Sequence, residues 1–66
     1  MFDKRIKDLR IEKNITQKQL ANALNVDEST VRKWEIGKSE TSFSMLIKLA
    51  DFFDVSIDYL LGRKDY

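Results

Sequence analysis

Between Glu28 and Lys38 the chain gathers a carboxylate, two hydroxyls and three cations: Glu28, Ser29, Thr30, Arg32, Lys33 and Lys38. Such groups can hydrogen-bond and carry charge, and the rest of the sequence limits them to that. There is no cysteine and no histidine, so Ser-His or Cys-His catalysis and thiolate or imidazole metal sites are excluded. The carboxylates form no cluster of candidate ligands. Each is better explained as a helix cap, a solvated charge or an ion-pair partner, so no enzyme, metal, cofactor or small-molecule ligand is expected. What the run can do is recognise. Lysine suits the O6/N7 edge of guanine, glutamate accepts from the amino group of cytosine, and serine is permissive.

For these side chains to act together they must share a face, and a short helix supplies one. With Val31 at the centre of its buried side and about 100° per residue, Ser29 and Lys33 point almost directly away. Thr30, Arg32 and Ile36 lie on the flanks, and Glu28 projects from the first turn. Val31, Trp34 and the stem of Glu35 face inward at i, i+3 and i+4. Asp27 is the predicted N-cap, and Gly37 stops the helix where a left-handed residue is wanted. A second short helix precedes it. Thr16 and Gln19 have capping-box spacing, and Leu20, Ala21 and Leu24 form one apolar stripe before Asn25-Val26-Asp27 breaks the pattern. Residues 16–37 therefore read as a helix-turn-helix whose second helix suits a DNA major groove.

The flanking segments read as its support. A helix over 2–13 turns Phe2, Ile6, Leu9 and the stem of Lys13 to one side. Arg10 follows Ile6 by four residues, as Glu35 follows Val31, so two opposite charges sit on two inner faces. A lone half-buried charge costs several kcal/mol, so the two are expected to pair. After the loop Lys38–Ser42, Ser42 is a good N-cap for a fourth helix, with Phe43, Leu46, Ile47, Leu49, Ala50 and Phe53 predicted on its inner stripe. Ser56 caps a fifth helix, Ile57 to Leu61, ended by Gly62, and Val55, Ile57 and Leu60 close the core. Phe52, Tyr59 and Leu61 are left with fewer inward places. They form either a partner surface or an ordinary lid. The tail, residues 63–66, reads as frayed.

Sixty-six residues make one small domain, 1–62, near the lower size at which a single core holds a fold. The net charge of +1 divides unevenly. Residues 1–38 hold nine Lys/Arg against six Asp/Glu, whereas residues 39–66 hold three against five. The basic part contains the helix-turn-helix, where phosphate would lie, although small domains often show such a split by chance. No run has the apolar length of a membrane span, and a cytoplasmic protein is expected.

Leu9-Arg10, Ile15-Thr16-Gln17, Leu20-Ala21, Val26, Trp34-Glu35, Gly37, Leu49-Ala50 and the run Val55 to Gly62 together resemble the Cro/C1-type helix-turn-helix family. Those are compact five-helix DNA-binding domains of phage repressors and many bacterial regulators. The likeness covers residues 2 to 62 and implies an all-α five-helix bundle that binds double-stranded DNA as a homodimer, most plausibly as a repressor on a palindromic operator. It also implies an Arg10–Glu35 bridge between helices. Gln17 is implied at phosphate and as a brace for the recognition helix, with Lys38 and the amides near Ser42 across the ridge. Lys18 either joins them or keeps that face soluble. One departure is the segment Thr41-Ser42, where the family often carries proline. The alternative reading is a protein-interaction module, antitoxin-like or adaptor, that keeps the fold. Glu28 at the groove-facing tip and the modest charge keep it open as the lesser reading.

Overall fold

The computed structural model describes residues 2–65, so Met1 and Tyr66, which the domain and tail boundaries include, lie outside the described residues. Five helices follow one another: α1 (Phe2–Glu12), α2 (Gln17–Leu24), α3 (Glu28–Glu35), α4 (Phe43–Phe53) and α5 (Ile57–Leu60). There is no strand among the described residues. The all-α five-helix bundle is the architecture expected.

Each helix has a local reason to start. Thr16 accepts the Gln19 amide at 3.0 Å while the Gln19 side chain accepts the Thr16 amide at 2.8 Å, completing the capping box. Ser42 accepts from the Met45 amide at 3.2 Å, and Ser56 from the Tyr59 amide at 3.0 Å. Asp27 departs from expectation. It occupies the N-cap of α3 with extended backbone, but its side chain makes no capping hydrogen bond.

The stops are uniform. Asn14, Asn25, Gly37, Asp54 and Gly62 follow the five helices with φ between 56° and 76°. In each case the next amide bonds back five residues: Ile15 to Arg10, Val26 to Ala21, Lys38 to Lys33, Val55 to Ala50 and Arg63 to Asp58. This is the Schellman arrangement, and it satisfies carbonyls that a helix end would otherwise leave bare. The residue after the left-handed one is apolar at Ile15, Val26 and Val55, and each packs against the core. Three asparagine or aspartate residues therefore end helices where glycine is the commoner signal.

The core draws on every element. The largest fully buried side chains are Ile6, Leu20, Val31, Leu49 and Leu60, one from each helix. Leu9, Ala21, Leu24, Trp34, Ala50 and Phe53 extend the same cluster. Phe2 meets Trp34 edge-on at 6.5 Å between centroids, joining α1 to α3.

Three expectations need correction. Lys13 lies beyond α1 and is exposed, its ammonium 5.5 Å above the Phe52 ring. Phe43 and Ile47 are 83% and 51% exposed, not inward, because no other element among the described residues covers that flank of α4. The tail keeps some contact with the helices, although the Asp65 side chain is fully exposed. The Arg63 amide bonds the Asp58 carbonyl, and the Arg5 and Asp65 side chains lie 3.5 Å apart.

Candidate nucleic-acid interface

The orientation of α3 is set at one carboxylate. Glu35 Oε2 accepts from Arg10 Nε at 2.6 Å, and Oε1 accepts from Arg10 Nη2 at 3.1 Å. The Glu35 side chain is 3% exposed and that of Arg10 14%, so the residue-level exposure of Glu35 comes from its backbone. Arg10 Nη1 also donates to the Ile15 carbonyl at 2.9 Å, holding the α1–α2 turn just ahead of the Thr16 cap. Gln17 Nε2 completes the group with a 3.1 Å bond to Glu35 Oε1. The expected pair exists, and Gln17 braces α3 as the resemblance implied. The bond to Ile15 had no sequence signal, since it depends on how a turn folds back. With every polar atom partnered, the buried charges are tolerable, and no buried side-chain nitrogen or oxygen among the described residues is unsatisfied.

From this fixed base α3 presents its outer face. Ser29, Arg32, Lys33, Ile36 and Lys38 line one shallow depression. The structure thus brings together the two residues opposite Val31, the cation on the flank and the first residue of the following loop. Glu28 is exposed in the first turn, and Thr30 is half-buried. Arg32 and Lys33 stand in the last turn of α3, where the helix dipole favours positive charge. None of Lys18, Arg32, Lys33 and Lys38 has an ion-pair or ring partner among the described residues. Most other cations are engaged, as Lys4 is with Asp8 and Arg10 with Glu35. The free positive charge is concentrated around α3 and the start of α2.

The sequence-predicted phosphate residues divide. Lys18 and Lys38 are exposed and free. Gln17 is half-buried, its amide nitrogen shared with Glu35. The Ser42 hydroxyl already accepts the Met45 amide and lies 3.1 Å from the Ser44 hydroxyl, which leaves the first amides of α4 as its free donors. Thr41 is half-buried and lines a groove with Phe2, Glu40, Leu46 and Leu61, so the loop reaches Ser42 without proline.

The predicted partner trio does not form one bare surface. Phe52 and Tyr59 are half-buried and pack against the core. Phe52 lies edge-on to Phe53 at 5.0 Å, and Arg5 sits 4.1 Å over the Tyr59 ring. Of the three, Leu61 alone, 40% exposed, is an uncovered apolar side chain. Cations from distant parts of the chain cover the two rings.

With the geometry in place, comparison with known proteins decides the family. A helix-turn-helix family model matches residues 6–60. The chain belongs to the helix-turn-helix family. It is 39% identical over 64 residues to an HTH-type transcriptional activator, BcrR, of Enterococcus faecalis, covering 97% of this chain and 31% of that protein. The cryptic phage CTXphi transcriptional repressor RstR of Vibrio cholerae is 34% identical over 65 residues, 98% of this chain and 59% of that one. The transcriptional regulator ImmR of Bacillus subtilis is 34% identical over 62 residues, 94% and 49% of the two chains. The chain thus spans from about a third to three-fifths of the length of these relatives. Helix-turn-helix domains of this Cro/C1 type are DNA-binding and not enzymes.

Proposed function

We propose that this helix-turn-helix domain is a sequence-specific double-stranded DNA-binding regulator of transcription, a repressor that occupies a palindromic operator as a two-fold dimer. The carrying observation is the single depression that joins Ser29, Arg32 and Lys33 to Lys38, free of partners, on a helix locked by Glu35. In this reading α3 lies in the major groove. Ser29 and Lys33 read base edges there, with Glu28, Thr30 and Arg32 around them. Gln17, Lys18, Lys38 and the amides beside Ser42 hold phosphate and set register without reading sequence. The relatives named as transcriptional regulators support regulation, and RstR supports repression. The protein acts in the cytoplasm, where bacterial duplex DNA lies, and no helix among the described residues is long and apolar enough to cross a membrane.

Selection from random duplexes tests the proposal. The expected product is a site with two inverted halves, their centres about 34 Å or a multiple apart. A gel shift at low salt against mixed genomic fragments is the simpler control. No retardation there would favour the protein-interaction alternative.

A further inference from the structure

Among the described residues, Ile36 is the one apolar side chain that lines the depression on the outer face of α3, beside Ser29, Arg32, Lys33 and Lys38. It is 59% exposed and takes no part in the core. The other large apolar side chains left exposed lie elsewhere: Ile11 on α1, Phe43 and Ile47 on α4, and Leu61 after α5. Ile36 is the C-cap of α3, and its amide donates to the Arg32 carbonyl at 3.1 Å, so it continues the helical turn. At about 100° per residue it projects about 140° from Val31 and about 20° from Ser29. It therefore sits on the face proposed for the groove, one turn beyond Arg32.

Its neighbours limit what can cover it. Arg32, Lys33 and Lys38 have no ion-pair partner among the described residues, so the depression suits an anion that also offers an apolar group. The DNA major groove has one such group, the thymine C5-methyl, next to the O4 acceptor of the same base. Arginine and lysine side chains only donate hydrogen bonds. That matches O4 of thymine and not the amino group that cytosine presents in its place. An isoleucine beside donor-only side chains thus fits thymine at both its methyl and its oxygen.

We infer that Ile36 is a specificity-determining residue whose side chain covers the C5-methyl of one thymine in each half-site, with the cations beside it available to O4. The inference rests on the reading of α3 as the groove helix and deepens it. Cations alone are drawn to any phosphate and, at base edges, to the acceptors of guanine. The apolar contact adds a preference for thymine at one base pair that they do not supply.

Exchange of thymine for deoxyuridine tests this, because it removes the methyl and nothing else. The duplex is the site recovered by selection, with each thymine replaced singly and affinity read by fluorescence anisotropy. At one thymine per half-site, wild type should lose about fourfold in affinity, the worth of one buried methyl-sized group. In Ile36→Ala, thymine and uracil should bind alike at that position, a change that a merely structural role would not produce. The salt slope should stay as in wild type, since no charge is removed. Ile36→Val should show an intermediate response, and it replaces Ile36→Ala if circular dichroism finds that variant unfolded. A selected site without thymine, specific binding with no responsive thymine, or a response undiminished by either substitution would overturn the inference and leave the DNA reading standing. If no duplex is retarded even at low salt, the DNA reading falls and the inference with it.

Discussion

Gln17 Nε2 donates to Glu35 Oε1 over 3.1 Å, tying the first residue of α2 to the last residue of α3. The same oxygen accepts from Arg10 of α1 at 3.1 Å. One carboxylate therefore sets the angle among the three helices that make and support the motif. The consequence is mechanical. The residue proposed to sit against phosphate is bonded to the helix proposed to read bases, so register on the backbone and register in the groove are set together.

The Arg10–Glu35 pair should be strongly coupled. Removing Arg10 alone leaves a carboxylate whose side chain is 3% exposed without its main partner, at a cost of about 3–5 kcal/mol. Glu35→Ala should cost somewhat less, because the longer guanidinium can swing toward water. An Arg10→Met/Glu35→Leu double variant should recover much of the loss, since apolar replacement of a buried pair is often near neutral. Urea unfolding of the cycle gives the coupling directly, and additive single costs would remove the pair from any organising role.

This pair was legible in the sequence because each charge follows a buried residue by one helical turn. The caps at Thr16, Ser42 and Ser56 were legible for the same kind of reason, being local. What the sequence concealed was cover. A stripe such as Phe43, Leu46, Ile47 and Ala50 shows which side chains share a side of α4, but not how far neighbouring elements extend over it. Phe43, at the first position of α4, lies outside that cover. Phe52 and Tyr59, left open between a partner surface and a lid, pack as a lid in the single chain, with Lys13 and Arg5 reaching over their rings from elsewhere in the chain. The helix ends at Asn14, Asn25 and Asp54 carried a fainter signal. Each is an asparagine or aspartate followed by isoleucine or valine, which supplies both the left-handed turn and the apolar contact behind it.

Two substitutions on neighbouring turns of α4 separate cover from pattern. Leu46→Ala should cost about 2–5 kcal/mol, because Leu46 is buried and its removal leaves a cavity. Phe43→Ala, at 83% exposure, should change monomer stability by less than about 0.5 kcal/mol. Thermal or urea unfolding at dilution low enough to keep the chain monomeric measures both. A Phe43 cost comparable with that of Leu46 would mean that the helix is seated differently.

Gly37 should not accept a side chain. Its φ is +75°, and a Cβ there would lie 3.2 Å from the Asp3 carboxylate. Gly37→Ala should therefore destabilise by about 1 kcal/mol or more, combining left-handed strain with displacement of Asp3. Gly37→Asn should cost less of the strain, since asparagine tolerates that backbone, as Asn25 does at φ 60°. Equal losses for alanine and asparagine would place the penalty in the contact with Asp3 and not in the backbone.

The last prediction divides specificity from affinity among Lys33, Lys38 and Gln17. Lys33 points opposite Val31 and lines the same depression as Ser29, so in the groove its ammonium meets base edges. Lys33→Ala should weaken the preferred site by about 1–3 kcal/mol and relax the choice at one base pair. Lys38 is an exposed, free cation at the start of the loop, and phosphate offers it the same charge at every sequence. Lys38→Ala should weaken all duplexes alike and lower the salt slope by about one. Gln17→Ala should also act evenly across sequences, but with almost no change in slope, because the amide is neutral. It should also cost about 1 kcal/mol of stability through the lost bond to Glu35, a loss that Lys38→Ala does not share. Affinities for a panel of single-base variants at two salt concentrations, paired with unfolding curves, resolve the three. If Lys33→Ala instead lowers every affinity evenly with a shallower salt slope, Lys33 lies at phosphate, and α3 enters the groove by a different face.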